Sequence, residues 1–371
     1  MAGTLLHLIS PSEWRAALAV GAVAPPSLAE VGFVHLSTPE QVMLPAERLF
    51  AGRSDLMLLV LDPERIGVEV RWEPGVPSDP ASMTFPHAYG PVPTSAVLAV
   101  LPYRPGPTGF EPPRDVPTDL AGRARLTEPS LLRRVASREV RVAGGVGVLL
   151  AGAPESYQHN QVLFDEPVDA GTAAAEADRV LGSAGLKHRW MTLSHPTAVD
   201  GLRELGWDVQ EVAVLTKPTG GAGSNTLGSI VDVVDVDAAR PMWRRMWRRG
   251  IPDVAEAVVD QLADRYLLEA EVVDLRVLGI RSAGSGSDDE VVASALLKID
   301  GATAELDMVN TDPEHRGRGH GDALLAEALS LTGAAGCDVL ALRATVADWP
   351  REWYLRRGFT EVTRVWSAGR D

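Results

Sequence analysis

The chain has 371 residues, which is long for one domain and predicts two or three. A hydrophobic share of 45% and a charged share of 23% describe ordinary globular material, and a net charge of −15 argues against a nucleic-acid-binding surface. The lone cysteine, Cys337, excludes an intramolecular disulfide and a cysteine-rich zinc site, and no apolar run approaches the ~20 residues of a membrane span.

The N-terminal stretch carries Glu13 and Arg15 and lacks a signal-peptide core, which predicts a cytoplasmic protein. Residues 5–9 read as a short strand, and Ser10-Pro11-Ser12 with Glu13 reads as the start of a helix that continues to residue 20. Residues 32–37 predict a strand, 39–50 a helix, 56–61 a buried strand and 68–72 an alternating one. Phe85-Pro86-His87-Ala88-Tyr89-Gly90-Pro91 then precedes a last strand at 96–101. Together these predict an α+β module over residues 1–104.

Its pieces resemble a small bacterial domain family of uncharacterised function. The resemblance rests on His7, Pro26-Ser27-Leu28, the run from Gly32 to Thr38, Arg71-Trp72-Glu73 and the Phe85–Pro91 segment. That family is distantly similar to ADP-ribosyltransferase-type folds, in which a histidine in the first strand and a residue in a later His-Leu-Ser strand grip NAD. The resemblance therefore implies NAD at His7 and His35, with His87 and Glu73 nearby. The residues themselves leave open that the histidines are hydrogen-bonded structural groups, and their spacing shows no metal-ligand pair.

Residues 105–124 are proline-rich and predict a semi-rigid linker. From Arg125 the pattern of folding resumes. Residues 138–142 and 145–151 predict a hairpin turned at Gly144-Gly145, followed by a strand at 159–164, a helix at 170–181, a strand at 188–194, a helix at 198–205 and a strand from Gly206-Trp207 to residue 215. Between the strand at 159–164 and the helix at 170–181 stands the acidic turn Asp165-Glu166-Pro167-Val168-Asp169, which would repel a diphosphate. His159, Asn160 and His188 read as structural. Residues 218–228 are glycine-rich and predict a flexible linker.

In residues 229–371 a strand at 229–236 leads to a helix at 237–250. That helix carries Trp243 and Trp247 one turn apart, with Arg244, Arg245, Arg248 and Arg249 around them. The tryptophans read either as core or as an aromatic acceptor wall with a basic rim. A second helix follows at 254–268, then a hairpin of 273–280 and 291–299 around the polar loop 282–290. A strand containing Glu305, Asp307, Met308 and Val309 is ended by Pro313, and Arg316-Gly317-Arg318-Gly319-His320-Gly321 leads straight into a helix at 322–331. A strand, a glycine-rich turn and a helix together hold a diphosphate, because glycines admit close backbone approach and the first helical N–H groups point at the anion. The dinucleotide pattern G-x-G-x-x-G with its later acidic residue is absent, as is the Gly-Lys-Ser/Thr of a nucleotide P-loop. Cys337, between this helix and the strand at 339–343, reads as buried filler.

Arg316-x-x-Gly319-x-Gly321 resembles the acetyl-CoA pyrophosphate loop of the GNAT superfamily of N-acetyltransferases. Tyr354-x-x-x-Gly358-Phe359 resembles the segment that closes the same fold. The element order of 125–217, with Gly206-Trp207 in place of Gly-Phe, resembles a second, degenerate GNAT-like half, so the predicted fold class is α+β and α/β: an α+β module followed by two mixed-sheet domains. The resemblance implies acetyl-CoA held by Arg316, Gly317, Arg318, Gly319, His320 and Gly321, with pantetheine along the backbone of Met308 and Val309. It implies Tyr354 as the acid for the leaving thiolate and Glu305, or Asp307, as base through a water. One departure from the family pattern is Ala347, where an asparagine often stands. The implied activity is transfer of an acetyl group to a small-molecule or peptide amine, with no nucleic acid, membrane or metal involved. The rivals are a non-catalytic acyl-CoA sensor and an NAD-utilising enzyme acting through the N-terminal module. The acceptor and the oligomeric state stay open.

Overall fold

The computed structural model describes residues 3–75, 80, 82–220, 230–282 and 290–370. Most of the linker predicted at 218–228 and most of the loop at 282–290 lie outside the described residues.

The N-terminal module comprises β1 (Leu5–Ile9), α1 (Pro11–Val20), β2 (Ala22–Val23), α2 (Pro26–Val31), β3 (Val34–His35), α3 (Met43–Phe50), β4 (Met57–Leu61), β5 (Val70–Pro74), β6 (Thr84–Ala88), β7 (Val92–Pro93) and β8 (Val97–Pro102). Helix α1 starts on a capping box. The Ser10 hydroxyl accepts from Glu13 N, and the Glu13 carboxylate accepts from Ser10 N at 2.9 Å. The central strand of the sheet β1-β4-β8 is β4, and the run Met-Leu-Leu-Val-Leu is buried throughout because both faces are covered. Trp14 fills one side; Leu6, Leu58 and Phe110 fill the other. A smaller sheet, β3-β6-β5, lies beside it. Where the sequence predicts a strand from residue 32, Gly32 at φ 88° instead ends α2, and the strand is confined to Val34 and His35.

The proline-rich connection is tied down rather than free. Phe110 is buried, Tyr103 Oη donates to Glu111 O at 2.7 Å, and α4 (Leu120–Val135) begins inside the predicted linker on an Asp119 cap. Helix α4 joins the module to the rest of the chain. Arg123 reaches Asp338 and Thr303, Arg134 reaches Asp300, and Ser130 bonds Val100 O. Trp14 Nε1 also donates to Asp300 at 2.8 Å, so the N-terminal module packs on the β-turn at residues 300–303.

The remaining elements are β9 (Arg138–Val142), β10 (Gly145–Leu149), β11 (Gln161–Phe164), α5 (Ala170–Ser183), β12 (Arg189–Leu193), α6 (Val199–Glu204), β13 (Asp208–Pro218), β14 (Asp232–Val234), α7 (Val236–Gly250), α8 (Glu256–Glu269), β15 (Asp274–Arg281), β16 (Val291–Asp300), β17 (Thr303–Thr311), α9 (His320–Ala334), β18 (Val339–Thr345), α10 (Trp349–Leu355) and β19 (Thr360–Arg370). All these strands form one mixed eleven-stranded sheet, ordered β14-β15-β16-β17-β18-β13-β19-β12-β11-β10-β9. The two halves exchange their last strands. β13, from the first half, lies between β18 and β19, and β19, from the second, lies between β13 and β12. Residues 125–217 and 229–371 are thus consecutive in sequence but interleaved in the sheet.

Candidate active site

Strand β17 is where the sheet opens. It pairs in parallel with β18 only through Thr303, Ala304 and Glu305; beyond Glu305 the two strands share no pair. On its other edge the antiparallel register with β16 slips, with Asp307 opposite Leu296 and Asn310 opposite Ser294. The slip is a bulge at Met308, whose φ of 53° is a left-handed conformation costing of order 1–3 kcal/mol for a residue with a side chain. Asp307 Oδ1 accepts from Met308 N at 2.7 Å and holds the bulge. Met308 then packs with Trp243 and Tyr266, while Val309 packs on the opposite core beneath α9. The backbone at Met308 and Val309 faces the parted strand without a ladder partner there.

The chain then makes one turn at Pro313–His315 and enters α9 through Arg316, Gly317, Arg318 and Gly319. Gly317 and Gly319 have φ of 74° and 80°, and a Cβ at either would meet no atom within 4 Å. Glycine is required here by backbone conformation, and the space over the loop is open. Gly319 caps α9 without any side chain, so the N–H groups of His320, Gly321 and Asp322 lack a side-chain cap and carry the positive end of the helix dipole. Arg316 and Arg318 are exposed and bend back to Thr311 O and Glu314 O. The acidic Asp322 in the first turn is bound by Arg357, whose guanidinium also sits 3.9 Å over the Trp353 ring. Burial, with His315 and Arg318 adding to it, lowers the His320 pKa.

The same half presents Tyr354 from α10. It is 7% exposed, edge-on to Trp353 and Phe359 at 4.8 and 5.4 Å. Burial, reinforced by the negative charge of Asp307, pushes its phenol well above the ordinary value. Glu305 and Asp307 share one face of β17 with Lys298. Lys298 Nζ lies 2.9 Å from Asp307 Oδ2 and 2.9 Å from Glu269 Oε2, and Glu269 Oε1 lies 3.1 Å from His159 Nε2. His159 is thus structural in a specific sense: it joins the first half to a buried charge cluster of the second. Burial raises the Glu305 carboxyl to about 7, against the pull of Lys298 and Arg343.

Arg343 leads from Glu305 to a pocket of about 660 Å³. Its Nε lies 3.9 Å from Glu305 Oε1 and its Nη1 2.9 Å from Glu128 Oε2. Pro129 fixes this arrangement. Lacking an N–H, it leaves the Arg125 carbonyl without its helical donor, and Arg343 Nη2 donates to that oxygen at 2.8 Å. Both halves line the pocket: Tyr157 and Trp190 come from the first, Trp247 and Leu262 from the second, with Glu128 and Arg343 between them. The two tryptophans of α7 therefore divide. Trp243 is fully buried and bonded to Ser294, and Trp247 forms pocket wall under Arg265. Arg244, Arg245, Arg248 and Arg249 of α7 pair with Glu256, Asp260, Glu290 and Asp312. No sequence signal marked Glu128 or the wall from the first half, because an inter-half surface depends on the strand exchange.

The first half lacks both features of the opening. β11 and β12 stay paired in parallel through Phe164 and Leu193, and the N-terminus of α5 is capped by Asp169, which accepts from Thr172 N at 2.9 Å.

In the N-terminal module, His7, His35 and His87 meet at a second cavity. Cys337 is buried, donating to Gly301 O, and burial pushes its thiol up to about 12. Among the described residues no cluster of histidine, cysteine or acidic side chains is placed to hold a metal, and no helix is long and apolar enough to cross a membrane.

The sequence model of the acetyltransferase (GNAT) domain matches residues 285–361, and that of a protein of unknown function (DUF952) matches residues 8–100. The chain is thus similar to DUF952 at its N-terminal end and to the acetyltransferase (GNAT) domain at its C-terminal end. Among solved structures, a GCN5-related N-acetyltransferase from Kribbella flavida is 19% identical, with 67% of this chain and 94% of that one covered and a TM-score of 0.46. A tandem GNAT protein from the clavulanic acid biosynthesis pathway is 13% identical over 70% and 89% of the two chains, with a TM-score of 0.43. CC0527 from Caulobacter crescentus is 30% identical over 29% of this chain and 90% of its own, with a TM-score of 0.25. No curated protein matches the chain. The DUF952 description assigns no function, so NAD at His7 and His35 is without support from it.

Proposed function

We propose that the protein is an acetyl-CoA-dependent N-acetyltransferase whose acceptor amine enters the pocket between the two GNAT-like halves. The observation that carries this reading is the parting of β17 and β18 after Glu305, inside the eleven-stranded sheet: the uncapped start of α9 follows β17, and the 660 Å³ pocket is lined by the far end of β18 at Arg343, Ala344 and Thr345. The N–H groups from Arg316 to Gly321 and the charges of Arg316 and Arg318 receive the diphosphate. Pantetheine runs along the Met308–Val309 backbone into the opening.

The reaction forms an N–C bond between amine and acetyl carbon and breaks the C–S bond of the thioester. The amine gives up a proton, and the departing thiolate takes one. Glu305 accepts the first through a water, since Arg343 and Glu128 separate it from the pocket, and its raised pKa suits proton acceptance near neutrality. Tyr354, held protonated by burial, supplies the second.

The test is CoA release against a panel of amines, beside acetyl-CoA binding by Gly319→Asp. An aspartate there places a carboxylate where the diphosphate belongs; because the φ of 80° strains any side chain, the melting temperature of the variant is read beside its binding. Acetyl-CoA affinity should fall at least tenfold. Unchanged affinity in a folded variant refutes the cofactor assignment, and tight binding with no amine accelerating release makes the protein an acyl-CoA sensor.

A further inference from the structure

Helix α8 grips the first half with one face. Gln261, Arg265 and Glu269 recur every four residues and so lie one above the other along the helix. All three meet the turn at residues 155–159 of the first half. Gln261 Oε1 accepts from Glu155 N, Arg265 Nη1 donates to Ser156 Oγ at 3.2 Å, and Glu269 Oε1 lies 3.1 Å from His159 Nε2. Ser156 Oγ in turn lies 2.9 Å from His159 Nδ1, so the imidazole is held at both nitrogens.

The position of Glu269 is unfavourable for a carboxylate. Its side chain is 1% exposed, and it is the last residue of α8, where the helix dipole is negative. Burial would raise its pKa, but Lys298 and His159 outweigh burial and lower it to about 2. Both contacts lack hydrogen-bond alignment, so electrostatic attraction sets where the carboxylate lies. Lys298 divides its ammonium between Glu269 Oε2 and Asp307 Oδ2, 2.9 Å from each. Burial opposes that charge, and Asp307 with Glu269 outweighs burial, so the ammonium stays protonated. Asp307 Oδ1 then accepts from Met308 N, the residue whose φ of 53° makes the bulge. A left-handed methionine persists only where its surroundings over-determine it. The series His159, Glu269, Lys298, Asp307, Met308 therefore runs unbroken from a turn of one half to the strained backbone at the opening of the other.

We infer that the first half, although it lacks a cofactor loop, sets the shape of the GNAT opening through this series, with His159 as a positioning residue for Met308. Without His159, Glu269 draws Lys298 away from Asp307 and frees the carboxylate that fixes the bulge. The consequence for acetyl-CoA rests on the cofactor reading proposed above; the consequence for Met308 does not.

The experiment labels the full chain with nitrogen-15 methionine and reads the Met308 amide without ligand, assigned among the eight methionines by Met308→Leu. His159→Phe removes both ring nitrogens and should shift that resonance by more than its linewidth. Glu269→Gln breaks the next link with an isosteric side chain and should shift it as well. His159→Gln again offers an N–H toward Glu269 and should restore the wild-type position. Leu193→Ala opens a void in the first-half core, away from the charges, and should leave the resonance in place. Acetyl-CoA affinity, read by titration calorimetry, should fall roughly 2- to 30-fold in His159→Phe and hold in Leu193→Ala. A wild type that binds no acetyl-CoA ends the cofactor reading, and the Met308 amide still decides this one. A Met308 amide unmoved in both His159→Phe and Glu269→Gln, an equal shift in Leu193→Ala, or unchanged acetyl-CoA affinity in His159→Phe overturns the inference.

Discussion

Glu305 lies between Lys298 and Arg343 with 7% of its surface exposed, and its carboxyl is raised to about 7. A base must be ionised to accept a proton. The turnover rate on any accepted amine should therefore rise as pH passes upward through about 7 and level off above it. Glu305→Gln should remove that limb and lower turnover about 10²–10⁴-fold; an unchanged pH profile in the variant assigns the limb to another group. Tyr354→Phe keeps the edge-on packing with Trp353 and Phe359 while deleting the proton. Turnover should fall by a similar factor, with acetyl-CoA affinity held within a few-fold, as read by steady-state rates and titration. A collapse of affinity instead would make Tyr354 a cofactor contact. At this scale the loop from Arg316 to Gly321 was legible because its geometry is local: glycines at positive φ followed at once by a helix. Glu128 was not, because its place beside Arg343 depends on a helix packed from distant sequence.

Two helix starts separate the halves. Helix α9 begins on a bare glycine beside parted strands, whereas α5 begins on the carboxylate of Asp169 beside strands paired to their ends. Calorimetry should therefore count one acetyl-CoA per chain, and a stoichiometry of two would show that the first half opens. The acidic turn at 165–169 was readable as unsuited to a diphosphate; the continuous pairing of β11 with β12 was not, since it lies in no local pattern. Between these elements Lys298 links Glu269 to Asp307 at 4% exposure. Lys298→Met would leave Glu269 buried without its ammonium partner, at a cost of about 3–5 kcal/mol, measurable by urea unfolding.

Across the whole molecule the strand exchange decides what folds with what. A fragment of residues 125–217 lacks β19, which stands between β12 and β13, and loses the pairing on both sides of that gap. Expressed alone it should be unfolded or aggregated, and residues 229–371 alone should fare likewise without β13 between β18 and β19. A soluble fragment with cooperative melting would show that the exchange is dispensable. The pocket follows from the same topology, because its aromatic walls come from both halves only when the two are interleaved.

By itself the sequence determined the N-terminal module, the glycine-rich loop that opens α9, the position of Tyr354 and the lack of such a loop in the first half. Each depends on neighbours a few residues away, through turn conformation, capping or charge. Tertiary structure alone decided the parting of β17 from β18, the exchange of β13 and β19, the raised carboxyl of Glu305, the burial of His7 and His87 in the N-terminal module and the pocket between the halves. These depend on strand pairing and burial between residues far apart in the chain, which no local pattern encodes.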